Sequence, residues 1–423
     1  MNFCKHLNLK AIEGIIKEIF STHTHFEEIR NAIFNLLINE NMEYTHLYVF
    51  QYFDHRIIPG AELCFSKIEY LKIDDRINDN FLSILTNICK SIKEMDCITY
   101  EYEYNYRIAK LIENQKSLIR FSFLNDYTDK KLSRKIIEKA LVKHSNTIQY
   151  FYIYGRLETN VLSSSFVNLK TLYLIGNIYD DKELKWAILK DIFLPSLQTL
   201  KASNILNCYL IDLIESSGRQ LNEIHCHHHH SSFNNVIDNR RLIQAIYLNC
   251  PNLMYIGILY KNENILDFEE LLINCQNLKR LEFCYELVQH LSCTVRQSFY
   301  TEWDNLFNIL IKSPPSLFEF IFTDIEDKPD LESLELFLNN WEGRQPISFT
   351  FDTEYLDVND KLIDLLGRYI EKGVVKKYVY FSFLISDVDL LKIYKAKRDG
   401  VTIDYPKEPK PETKATSRTS IWE

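Results

Sequence analysis

The chain has 423 residues, 46% of them hydrophobic and 25% charged, which is enough apolar material for one continuous core or for two or three separate domains. With 49 Lys and Arg against 58 Asp and Glu, the net charge is −9, so no general attraction to nucleic acid or anionic lipid is expected. No apolar run approaches the roughly 18 residues that a membrane helix needs.

Residues 9–20 and 26–39 carry helical periodicity, and Ile29, Ile33, Leu36 and Leu37 make one stripe of the second segment. Residues 1–43 are therefore expected to be an N-terminal helical cap, with a charged amphipathic start rather than a signal peptide. Tyr44 to Val49 and Ile68 to Ile73 then introduce an apolar pattern that recurs along the chain. Its best copy is Leu169 to Asn177 (LKTLYLIGN), which reads L-x-x-L-x-L-x-x-N, the strand and turn of a leucine-rich repeat.

The first apolar residues of successive copies are Tyr44, Ile68, Ile92, Leu118, Ile148, Leu169, Leu197, Leu221, Leu253, Leu278 and Leu317. Successive differences are 24, 24, 26, 30, 21, 28, 24, 32, 25 and 39 residues. Nearly every interval holds a helical run closed by a short polar turn. In residues 267–275, Phe268, Leu271, Leu272 and Cys275 form the apolar stripe, and Asp267 with Glu270 reads as a capping box. Residues 205–216 repeat the plan, with Gly218 expected as a left-handed stop. The long interval before Leu317 predicts an extra helix or a degenerate unit within 285–312. Helices at 330–341 and 358–372 are expected before strands at Ile347–Phe351 and Val375–Phe383. Acidic residues from Asp324 to Glu335 read as solvated helix starts.

One helix-turn-strand unit cannot bury its own apolar face, but stacked units share a core. The expected fold is an α/β leucine-rich-repeat solenoid: a right-handed arc with parallel strands on its concave side and helices on its convex side. The array is placed at 44–325, irregular C-terminal repeats or a cap at 326–404, and a disordered tail at 405–423, which contains three prolines.

Ten cysteines are scattered without a C-x-x-C pair. Cys89, Cys250 and Cys275 each stand three residues before a strand's first apolar residue, a packing position, and read as buried thiols of a reducing compartment. Cytoplasmic or nuclear residence is the expectation. The run His225-Cys-His-His-His-His230 has residue types that bind zinc or copper. It falls where a repeat strand belongs, however, with Leu221, Ile224 and Cys226 filling the core positions, so it is read as strand and turn and no metal site or cofactor is assigned. No phosphate loop, dinucleotide fingerprint, nucleophile elbow or H-E-x-x-H motif is present, and no enzymatic activity is expected.

The outward strand positions are more informative. Tyr48, Tyr70, Arg120, Tyr150, Tyr152, Tyr154, Tyr173, His225, His227, Tyr255, Arg280 and Glu282 all fall on the expected concave face. Tyrosine offers large area, a polar tip and a low entropy cost, so a protein ligand is expected there.

The stretches FSKIEYL from Phe65, CKSIKEM from Cys89, IAKLIENQKSL from Ile108, LIESSG from Leu213, NCPNL from Asn249 and CQNLK from Cys275 resemble fungal F-box proteins with leucine-rich-repeat-like C-terminal regions. The resemblance covers roughly residues 40–290. It implies substrate-recognition repeats and, through an F-box, the Skp1 adaptor of a cullin ubiquitin ligase. Residues 1–45 show neither the Leu-Pro-x-Glu opening of an F-box nor the Trp-containing segment that often follows it. Only the repeat half carries over, and the chain is expected to begin downstream of the F-box. The alternative is a free-standing leucine-rich-repeat scaffold with no ubiquitin-ligase role.

Overall fold

A computed structural model describes residues 5–49, 60–74, 76–98, 105–124, 131–155, 157, 161–162, 166–176, 183–227, 236–285, 300–323, 329–352 and 360–380. The strands are β1 (His6–Asn8), β2 (His46–Tyr48), β3 (Tyr70–Asp74), β4 (Glu94–Ile98), β5 (Arg120–Leu124), β6 (Tyr150–Tyr154), β7 (Thr171–Ile175), β8 (Thr199–Ser203), β9 (Glu223–His227), β10 (Tyr255–Leu259), β11 (Arg280–Cys284), β12 (Glu319–Thr323), β13 (Ile347–Asp352) and β14 (Val375–Tyr380). The helices are α1 (Leu9–Phe20), α2 (Phe26–Leu37), α3 (Ala61–Phe65), α4 (Asp79–Ile88), α5 (Asn105–Glu113), α6 (Lys131–Leu141), α7 (Asn207–Ser217), α8 (Val236–Asn249), α9 (Ile265–Asn274), α10 (Trp303–Ile311), α11 (Leu331–Asn340) and α12 (Asp360–Glu371). A 3-10 helix, Glu183–Asp191, takes the helical place before β8.

Among the described residues fourteen strands form one parallel sheet whose spatial order is the chain order. The chain thus folds as a leucine-rich-repeat solenoid, and the reason is visible in each unit. Leu169, Leu172 and Leu174 are buried together under the helical layer, as are Leu118, Phe121 and Phe123, and Leu278, Leu281 and Phe283. Every one of the eleven expected first apolar residues, Tyr44 to Leu317, is buried and stands two residues before its strand. Each such side chain removed from water contributes on the order of 1.5–3 kcal/mol. From β3 to β12 the register never slips: Tyr70, Glu94, Arg120, Tyr150, Thr171, Thr199, Glu223, Tyr255, Arg280 and Glu319 stand side by side.

The turns that lead into the strands are stitched by the following unit. Gln115 accepts from Ile92 N at 3.0 Å and donates to Cys89 O at 3.0 Å. The His144 ring lies 2.8 Å from Ile112 O, and Thr147 donates to Leu118 O at 2.7 Å. Ser216 donates to Ile192 O at 2.7 Å, while Ser217 accepts from Leu194 N at 2.9 Å. Ser316 donates to Leu278 O at 2.8 Å, and Arg344 donates to Ile311 O, Ser313 O and Pro314 O at 2.7–3.0 Å. In all of these the side chain belongs to the later unit and the backbone group to the earlier one. A buried backbone group left without a partner would cost about 1–3 kcal/mol.

Several sequence expectations change in detail. The sheet begins at β1, before the two N-terminal helices, because three residues are too few for strand alternation to show. The strands expected near Ile347 and Val375 are present as β13 and β14 and join the same sheet. Strand β11 pairs directly with β12, and among the described residues between them α10 is the helix. Residues 286–299, Asn177, 381–404 and the expected tail 405–423 lie outside the described residues.

Asp267 does not cap α9. The helix starts two residues earlier, behind Asn264, and Asp267 instead pairs with Arg240 at 3.1 Å and accepts from Gln244 at 3.1 Å. Gly218 is right-handed, with φ −67°, and its bare backbone lets the next turn approach: a Cβ there would meet Asn249 O and Cys250 Sγ at 3.1 Å. Within the acidic stretch, Asp330 caps α11 by accepting from the Glu332 and Ser333 amides.

The thiols of Cys89, Cys250 and Cys275 are buried, and burial pushes Cys89 and Cys275 up to about 12. Cys89 donates to Phe65 O at 3.3 Å across the turn. They behave as packing groups, since a thiol held protonated is a poor nucleophile. Among the described residues no helix is long and apolar enough to cross a membrane.

Candidate functional site

Helices cover one face of the sheet, and the alternate strand positions form the other, open face. Because β2 to β12 keep the same register, outward residues fall into straight rows that cross these strands. The first row is the one that runs from Tyr70 to Glu319. The second contains Tyr48, Lys72, Asp96, Ser122, Tyr152, Tyr173, Lys201, His225, Gly257 and Glu282.

Three clusters divide this face. Over β2–β5, the Tyr48 and Tyr70 rings lie 5.2 Å apart. Tyr70 donates to Asp96 at 2.7 Å, and Arg120 approaches Glu94 at 3.4 Å and Asp96 at 3.7 Å. Burial, and then the Asp96 charge beside it, raise the Tyr70 phenol far above its usual value.

Over β6 and β7 the face is aromatic. Tyr152 and Tyr173 meet edge to face, with ring centres 4.7 Å apart, a geometry contributing about 0.5–1.5 kcal/mol beyond area burial. Tyr154 is half-buried beside them, and Tyr150 is 43% exposed. Burial raises the phenol pKa values of Tyr152 and Tyr173, and for Tyr152 the neighbouring tyrosines add to this.

Over β9–β12 the face closes into a polar network. Gly257 is the reason: its missing side chain leaves a gap between His225 on β9 and Glu282 on β11. A Cβ there would lie 2.7 Å from His225 Nδ1 and 3.3 Å from Glu282 Oε2. His225 Nδ1 is 3.3 Å from Glu282 Oε2 and 2.9 Å from the Tyr255 hydroxyl. Tyr255 donates to Glu282, and Thr323 donates to it at 2.9 Å. Burial opposes ionisation of Glu282, but the His225 hydrogen bond and charge, with Tyr255 and Thr323, hold its carboxyl down at about 2. Conversely, burial and the Glu282 charge drive the Tyr255 phenol upward. Arg280 covers the Tyr255 ring at 5.3 Å and pairs with Glu319 at 2.7 Å. His227 stacks over His225, with centroids 6.1 Å apart.

The structure therefore separates the twelve residues expected on one binding face. Tyr150, Tyr152, Tyr154 and Tyr173 come together. Tyr48, Tyr70 and Arg120 form a second group. His225, Tyr255, Arg280 and Glu282, with His227 beside them, form a third, in which His225 and Glu282 are 6% and 4% exposed and engage one another. Sequence reasoning overlooked Thr199, Lys201, Glu319, Thr323, Gly257 and Cys284. The signal was present, since the same offset from Leu197 and Leu317 that marks the other outward residues marks Thr199, Lys201 and Glu319. Lys201 pairs with Glu223 at 3.0 Å. A groove of about 390 Å³ lies along the turn edge, lined by amides that include Gln198, Asn222, Asn252 and Asn277.

No protein-family model matches the chain, and no curated protein does. Among solved structures it is similar to the leucine-rich repeat-containing protein LegL7 from Legionella pneumophila, at 11% identity and a TM-score of 0.43, over 79% of this chain and 99% of that one. It is also similar to a protein from Bacteroides fragilis, at 11% identity and a TM-score of 0.36, over 68% of this chain and 74% of that one. The class assigned above rests on the chain's own sheet and repeat pattern.

Proposed function

We propose that the chain is a non-enzymatic interaction module that holds a protein ligand against the open face of its sheet. The observation that carries this reading is the tyrosine cluster of β6 and β7. Tyr150 stands exposed beside the preformed Tyr152–Tyr173 pair, so the surface offers large rings whose freedom is already restricted by packing. The resemblance to F-box proteins would make the ligand a substrate for ubiquitination, with Skp1 and cullin as further partners. Affinity purification followed by mass spectrometry tests both parts. The expected result is a protein retained by the natural chain and lost when Tyr150, Tyr152 and Tyr173 are all changed to Ala. Retention by that variant removes the tyrosine face, and absence of Skp1 and cullin from the recovered set removes the ligase part.

A second reading, a free-standing scaffold that binds through its helical layer, is favoured by one observation. Ile237 and Leu248 on α8, and Leu266 and Ile273 on α9, are exposed on neighbouring helices. Changing Leu248 and Leu266 to Lys would abolish partner recovery on this reading and leave it intact on the first.

A further inference from the structure

We propose that His225, His227 and Cys284 form a binding site for one Zn2+ ion at the β9–β11 end of the open face. A ring nitrogen of each histidine and the Cys284 sulfur all lie within 4.8 Å of one another. A tetrahedral zinc site with bonds of roughly 2.0–2.3 Å sets its donors roughly 3.3–3.7 Å apart, so small side-chain rotations close the set around an ion. Two imidazoles and a thiolate are the donor types this borderline cation takes.

The surroundings fit a cation as well as the donors do. The Glu282 carboxylate stands 3.3 Å from His225 Nδ1 and 3.9 Å from Cys284 Sγ. Hydrogen bonds from Tyr255 and Thr323 hold it in place. A carboxylate against a ligating imidazole is the usual means of fixing that ring's orientation at a zinc site. Glu282 with the Cys284 thiolate also supplies two negative charges in a buried setting, matching one divalent cation. Because ligands bind as thiolate and neutral imidazole, binding releases the Cys284 thiol proton, and the extra proton of a charged His225, to solvent. Strand pairing explains why the site escapes a reading of the sequence: Cys284 lies two strands away from the histidine run and reaches it only through the sheet. The site departs from the sequence expectation of no metal, and it is independent of the proposed protein ligand.

The test is a titration of tag-free, metal-free protein with Co2+, followed by displacement with Zn2+. One equivalent of Co2+ is expected to give visible tetrahedral bands and a near-ultraviolet thiolate-to-cobalt band, both removed by Zn2+. Cys284→Ser is expected to abolish the thiolate band, and His227→Gln to weaken Co2+ binding by about tenfold or more. Circular dichroism establishes that each variant is folded, and the half-buried His227 provides the reading if Cys284→Ser does not fold. Replacing His228, His229 and His230 together with Gln is expected to leave the bands unchanged. The proposal is overturned if one equivalent gives no such bands, if Cys284→Ser keeps the thiolate band, if His227→Gln binds as the natural chain does, or if the replacement of His228–His230 alone removes binding.

Discussion

The β6–β7 and β9–β12 parts of the open face share one backbone geometry and differ in what their side chains do. Both lie in the same parallel register, and both put tyrosine on the first row, Tyr150 in one and Tyr255 in the other. Tyr150 is exposed, and the rings beside it pack on each other. Tyr255 is enclosed by Glu282, His225 and Arg280. The difference teaches that a repeat position does not by itself make a binding residue. What decides is whether a charged side chain engages the ring: Glu282 and Arg280 engage Tyr255, whereas Arg120, next to Tyr150 in the row, turns to Glu94 and Asp96. Where one does, the side chain is committed to the fold; where the neighbours are other rings, apolar area remains for a partner.

The hardest way to break this contrast is at Glu282. In metal-free protein, Glu282→Ala removes the shared acceptor of Tyr255 and Thr323 and leaves His225 facing a void, with an expected loss of about 3 kcal/mol in urea unfolding. A loss below about 1 kcal/mol would mean that the polar network is not structural. Gly257→Ala follows. Its new Cβ would lie 2.7 Å from His225 Nδ1, so the ring must move, and about 1–3 kcal/mol is expected in the same measurement.

The tyrosine pair responds instead to alkali. Burial raises the folded-state pKa of Tyr152 and Tyr173 above the unfolded value of about 10. The protonated phenols therefore contribute stability that is fully present below about pH 10 and is lost as pH rises through the folded values. Melting temperature measured from pH 8 to 11 should fall more in the natural chain than in the Tyr152→Phe/Tyr173→Phe variant. Equal falls in the two proteins would count against burial as the cause. The smallest effect is expected at exposed Tyr150, where Ala should alter stability by no more than about 0.5 kcal/mol while weakening partner capture.

Much of the architecture was legible because the repeat spacing and the strand period agree. Each apolar residue from Tyr44 to Leu317 marked a real strand, since burial of three alternate side chains per unit leaves little freedom of register. Strand β1 was hidden because a three-residue strand has no period, and Asp267 misled because its carboxylate reaches a neighbouring helix rather than its own helix end. The outward residues were legible as positions, not as partners. Nothing local to Tyr255 tells that Glu282 lies across a glycine from His225. The zinc donors are harder still, because Cys284 resembles any other small buried residue until the sheet is assembled.

The stitching of the turns has a consequence for how the chain is made. Gln115, Thr147, Ser216, Ser316 and Arg344 all reach backward, each completing backbone groups of the unit before its own. A chain leaving the ribosome N-terminus first thus finishes each of these turns one unit late, when the next stretch has emerged. At each of these turns the newest unit carries open carbonyls until the unit after it arrives. Assembly gains a direction, and a stalled or clipped chain would fray from its C-terminal side inward.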